Sequence, residues 1–138
     1  MINFFKLEIE SWEREMSVEK ENVVMSKSYA FALKIIDLYK YLTTEKKEFV
    51  LSKQILRSGT AIGALVKESE HAQSKPDFIN KINIALKEAN ETDYWLSLLK
   101  DSNYINDKIF VSVQPYCMEL IRLLASIVKT SKNNFKSI

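Results

Sequence analysis

A chain of 138 residues with 46% hydrophobic and 28% charged side chains has the length and balance of one globular domain. Two Gly and two Pro are too few turn residues for a β-rich fold, one Cys excludes an internal disulfide, and no run of 18 apolar residues offers a membrane span. The net charge of +2 is uneven: residues 1–25 hold three basic and six acidic groups against 17 and 12 elsewhere, so a body at +5 permits nucleic acid without demanding it.

The N-terminal stretch, broken by Lys6, Glu8 and Glu10, does not read as a signal peptide. With the lone thiol, this points to the cytoplasm. Residues 1–25 are read as an N-terminal extension. Within it Phe5, Ile9, Trp12 and Met16 recur at one-face helical spacing. Three readings stay open for that stretch: a short helix that docks on the body or frays, a docking peptide for a partner, or an upstream start codon, since Met16 and Met25 could each begin a viable chain.

The body, residues 26–138, carries four amphipathic segments. The first runs from about Ser26 to Leu42, with Phe31, Ile35, Leu38 and Leu42 on one stripe. Thr43-Thr44 is taken to end it and to cap the next segment. The second runs from about Glu45 to Gln73, with Phe49, Ile55, Leu56, Ile62, Leu65 and Val66 on its apolar side. Gly59 and Gly63 lie in its middle, where each costs about 1 kcal/mol relative to Ala. Close approach of another helix is the favoured reason, a kink the alternative. Ser74-Lys75-Pro76-Asp77 is a strong helix start. The third segment then runs to about Ser102, with Phe78, Ile82, Ala85, Ala89, Leu96 and Leu99 facing inward and Ile84, Tyr94, Trp95 and Leu98 on a second side. The loop Asn103–Asp107 is short, so the fourth segment, to about Thr130, should be its antiparallel neighbour. Val113, Cys117, Leu120, Leu124 and Ile127 form its stripe. Pro115 predicts a bend, or a fresh start capped by Ser112. The expected fold is all-α: an antiparallel up-down-up-down four-helix bundle with an additional N-terminal segment. The second apolar sides of segments two and three predict self-association.

No residue set reaches the standard of a catalytic or cofactor site. Glu68-x-x-His71 has the spacing of a di-iron ligand pair, with Asp37, Glu88, Glu91 and Glu119 as the remaining carboxylates. But His71 is the only histidine, so no metal is expected. Cys117 lies on an apolar stripe and reads as packing. The expectation is a non-enzymatic protein without a cofactor. Lys46, Lys53 and Arg57 fall on one side of the second segment, and Arg122, Lys129 and Lys132 make the C-terminal end positive. A solvated face is the plain reading. A phosphate-tracking surface for RNA or DNA is the alternative.

Ser52-Lys53-Gln54-Ile55-Leu56-Arg57-Ser58, Ile62-Gly63-Ala64, Glu68, Ser74, Asp77-Phe78, Lys81, Ala85-Leu86-Lys87-Glu88-Ala89 and Glu91-Thr92-x-Tyr94-Trp95-Leu96 carry a family resemblance. Over about Asn22 to Lys132 the chain resembles the four-helix-bundle proteins encoded in intervening sequences of bacterial 23S rRNA genes. The resemblance implies the bundle fold and a homopentamer. It also suggests a relation to the accessory proteins of diversity-generating retroelements, which bind a reverse transcriptase and nucleic acid. Ala61 and Leu65 stand where the family usually has Ser and Asn. On the family-matching Arg57, Glu68, Lys81, Glu88 and Glu91 a structural polar network is expected, which would fix helix register or subunit contacts. The partners implied are the chain itself, with RNA, DNA or another protein as further candidates and no membrane.

Overall fold

A computed structural model describes the backbone of residues 4–136 and the side chains of residues 18–133. Four helices make up the fold in chain order: α1 (Phe4–Thr44), α2 (Leu51–Ser69), α3 (Lys75–Asp101) and α4 (Asp107–Lys136). Among the described residues there is no strand. Each helix packs against its neighbours in the chain, and α4 closes the ring on α1. The backbones of the diagonal pairs, α1 with α3 and α2 with α4, do not approach closely among the described residues. This is the expected up-down-up-down bundle.

One core fills the centre. Phe31, Ile35, Leu42, Ile55, Ile62, Ile82, Leu96, Leu99, Leu120 and Leu124 are its largest wholly buried side chains. They come from the stripes that the 3- and 4-residue spacing marks out, because such positions share one side of a 3.6-residue turn. By length and composition alone, Asp107–Asn133 could cross a bilayer. Here its apolar stripe is core, packed on α1 and α3.

Several boundaries differ from those expected. The first helix does not begin near Ser26: α1 runs unbroken from Phe4. No Gly or Pro lies between Phe4 and Thr44 to stop it. Ser26 and Ser28 turn their hydroxyls back onto the carbonyls of Val23 and Met25, so neither caps a helix start. Val24, inside the extension, is wholly buried in the bundle core. The stripe of Phe5, Ile9, Trp12 and Met16 lies outside the described side chains.

The second helix begins at Leu51, not Glu45. Thr43 and Thr44 donate to the carbonyls of Tyr39 and Lys40, closing the end of α1 instead of capping α2. Lys47 then takes a left-handed backbone at φ 53°. The cap of α2 is Glu48. Its carboxylate accepts hydrogen bonds from the N–H groups of Val50, Leu51 and Ser52 at 2.7–2.9 Å, and the Ser52 hydroxyl donates to the Glu48 carbonyl. At its far end α2 stops at Ser69.

Ser74 caps α3 as its motif promises: its hydroxyl accepts from the Asp77 N–H, while Asp77 accepts from the Gln73 N–H. Asn103 ends α3 in a left-handed conformation at φ 66°, a residue suited to that role. Asn106 caps α4 by accepting from the Ile109 N–H. Pro115 does not interrupt α4, and the Ser112 hydroxyl donates to the Ile109 carbonyl instead of capping. The proline removes the bond to Val111, whose residue is 60% exposed, so water takes up that carbonyl at little cost.

Candidate functional site

The two glycines of α2 set the geometry of the α1–α2 face. A β-carbon on Gly59 would lie 2.7–3.2 Å from the branched carbons of Ile35 on α1. Only glycine permits that approach. This is close packing, not a kink, since α2 is continuous through it. At Gly63 the same test gives 3.4 Å to the Ser28 carbonyl, an ordinary contact. One turn further out the small residues open a groove of about 660 Å³, lined by Met25, Tyr29 and Ala32 of α1 and by Thr60, Gly63, Ala64 and Lys67 of α2. Tyr29 is 68% exposed and the adjacent Leu33 50%. An uncovered apolar face therefore lies on α1 and α2; on the second side of α3 Ile84, Trp95 and Leu98 are half-buried while Tyr94 is exposed. Sequence reading missed it because Ala32, Gly63 and Ala64 carry no strong hydropathy signal; the Gly-Ala pair was its only mark.

The five residues of the expected polar network fall into two clusters. Arg57 of α2 reaches across to α3, with Nη1 at 3.1 Å from Glu88 and Nη2 on Glu91. The Trp95 indole N–H donates to the same Glu91 carboxylate at 3.1 Å. Beneath them Ser58 and Thr92 are wholly buried with their hydroxyls 2.9 Å apart. Lys81 and Glu68 pair separately at 3.4 Å near the α2–α3 turn. Both clusters clamp α2 to α3 on one antiparallel register. The Arg57 side chain is 50% exposed, so solvent screens the charge term and the pairing is worth roughly 0–1 kcal/mol. The buried Ser58–Thr92 pair, which sequence reading did not find, is the more demanding element, because an unmatched buried hydroxyl costs about 1–3 kcal/mol.

The six basic residues considered for nucleic acid do not form one surface. Lys46 lies in the turn between α1 and α2, 6.0 Å from the Tyr41 ring, and not on α2. Arg57 is engaged by two carboxylates. Lys53 is exposed on α2, while Arg122, Lys129 and Lys132 are exposed on α4. These two helices are diagonal in the bundle. A single phosphate-tracking path within one subunit would have to cross it.

The carboxylates and histidine of the di-iron spacing are likewise apart. His71 is exposed in the α2–α3 turn, Glu119 pairs with Lys27 of α1, and Glu88 and Glu91 hold Arg57. Among the described residues no three metal-ligating side chains converge. Cys117 is wholly buried and donates to the Ala89 carbonyl at 3.3 Å. Burial, with Asp93 nearby adding to it, pushes its thiol up to about 12, which disarms it as a nucleophile. A polar cleft of about 320 Å³ at the α2–α3 end is lined by Glu21, Ser69, Glu70, Lys75 and Ser131. Burial raises the Glu21 carboxyl above its usual range; Lys75 opposes that and Glu70 adds to it.

Comparison with known proteins agrees with this architecture. Residues 20–126 match the profile of the family described as 23S rRNA-intervening sequence protein. A solved structure from Bacteroides thetaiotaomicron, a protein of unknown function from the S23 ribosomal protein family, superposes with a TM-score of 0.78 at 58% identity. The match covers 80% of this chain and 98% of that one. No curated protein matches the chain.

Proposed function

Because the chain belongs to the 23S rRNA-intervening sequence protein family, whose solved relative has no known function, we propose a role that its own surface supports: a non-catalytic, self-associating bundle working as an interaction scaffold in the cytoplasm. The observation that carries this reading is the apolar groove between α1 and α2. It brings exposed Tyr29, Leu33 and Ala64 together beside Gly63 on one side of the bundle. A groove of this kind beside the projecting Tyr29 and Leu33 is the form of an uncovered protein interface. A second copy covers it in this reading, and the homopentamer that the family resemblance implies is the assembly proposed. The dispersed basic residues and the absence of a converging ligand set among the described residues favour this reading over a nucleic-acid or metal-dependent one.

Ala64→Glu tests it, since Ala64 is exposed in the isolated subunit and the change puts a charge at the groove. Light scattering at micromolar concentration is expected to give a multiple of 16.0 kDa for the unmodified chain and the single-subunit mass for the variant. The helical circular-dichroism signal should be the same for both. An unmodified chain of one-subunit mass would remove the proposal.

A further inference from the structure

We propose that the groove between α1 and α2 of one copy receives the N-terminal stretch of α1, residues 4–17, from a second copy. The inference rests on the self-association reading above and adds the occupant.

Its first support is length. The end of α2 stands beside Glu21 and Asn22, since Ser69 and Glu70 line a cleft with them. Helix α1 starts at Phe4. The stretch before Glu21 therefore runs past the ends of α2 and α3 by about 25 Å at 1.5 Å per residue. The family match opens only at residue 20, so this stretch adds to a bundle that is whole without it.

The second support is chemistry. In sequence, Phe5, Ile9, Trp12 and Met16 recur on one face, and Glu8, Glu10, Glu13 and Glu15 outnumber Lys6 and Arg14. An acidic amphipathic helix seeks an apolar groove with a basic rim. The groove offers Met25, Ala32, Gly63 and Ala64, with Lys67 at its edge and Glu70 where α2 ends, so the basic side of the rim is the one that leads from Lys67 back along α2. Lys53 is exposed two turns earlier on the same side of α2, seven residues from groove-lining Thr60. The wider charge division, −2 over residues 4–17 against +4 for the remainder, steers the two together.

The third support is connectivity. No break separates Phe4 from Thr44, so the stretch continues α1 in line and cannot fold back onto a groove that its own α1 helps to build. A second copy is the occupant that geometry allows.

Two single substitutions test the contact in the full chain. One chain carries Ile9→Cys, the other Ala64→Cys, and the two are co-expressed and mildly oxidised. The buried Cys117 gives little background. A disulfide-linked pair of subunits is expected from the mixture and not from either chain alone. Trp12→Glu is expected to lower the light-scattering mass to a single subunit with an unchanged circular-dichroism spectrum. An assembled protein that neither crosslinks nor responds to Trp12→Glu, yet falls apart with Ala64→Glu, would overturn the occupant and leave self-association standing. A chain that never assembles would overturn both.

Discussion

Ile35→Ala is expected to destabilise the bundle by about 2–5 kcal/mol, as for a wholly buried branched side chain replaced by a methyl, and Gly59→Ala is expected to relieve part of that loss. Ile35 has no exposed surface and lies directly over Gly59. Alone, Gly59→Ala drives a β-carbon to within 2.7 Å of Ile35 Cγ1 and 2.9 Å of Cγ2. Overpacking of that kind costs about 1–3 kcal/mol, set against the roughly 1 kcal/mol by which Ala outperforms Gly in a helix. Ile35→Ala removes both γ-carbons, so the two changes together should cost less than their sum by about 1 kcal/mol or more. Urea denaturation of the four proteins of the cycle measures this. Additivity within about 0.5 kcal/mol, the range for independent sites, would show that the α1–α2 approach is not set by this contact. Gly63→Ala is the control: with 3.4 Å to its nearest neighbour, it should be neutral or stabilising by up to about 1 kcal/mol.

Glu48→Ala is expected to cost about 2–3 kcal/mol, the scale for losing hydrogen bonds to a charged group and leaving helix N–H groups unmatched. Burial by itself opposes ionisation of Glu48. The N–H groups of Leu51, Ser52 and Val50 outweigh it and hold the carboxyl below its ordinary value of 4.5. A carboxyl whose value is lower in the folded state stabilises the fold above the unfolded value and loses that contribution as pH falls through the folded one. Acid titration of stability should therefore show a component below pH 4.5 that is present in the native protein and missing in Glu48→Ala. Identical acid profiles for the two proteins would assign the cap no role.

What the sequence made legible, and what it hid, divides along physical lines. The core stripes, the Ser74 cap and the antiparallel α3–α4 turn are local patterns, written in residues three, four or seven positions apart. The α1 start was placed near Ser26, whose hydroxyl turns back onto the Val23 carbonyl inside an unbroken helix. The α2 start was misplaced because a glutamate two residues ahead of the N-cap leaves no standard signature. In the candidate site, Arg57, Glu88 and Glu91 meet across two helices, yet Glu68 and Lys81 stand apart from them. Charge positions along a sequence do not say which of them one helix face brings within reach of the next. The α1–α2 groove was the least legible feature, being made by what small side chains leave open.

If the α1–α2 face is covered in the assembled protein, Tyr29, 68% exposed in the single subunit, reports on it. Hydroxyl-radical footprinting of Tyr29 is expected to show protection in the native protein and full reactivity in Ala64→Glu. Equal reactivity of Tyr29 in both would contradict coverage of that face.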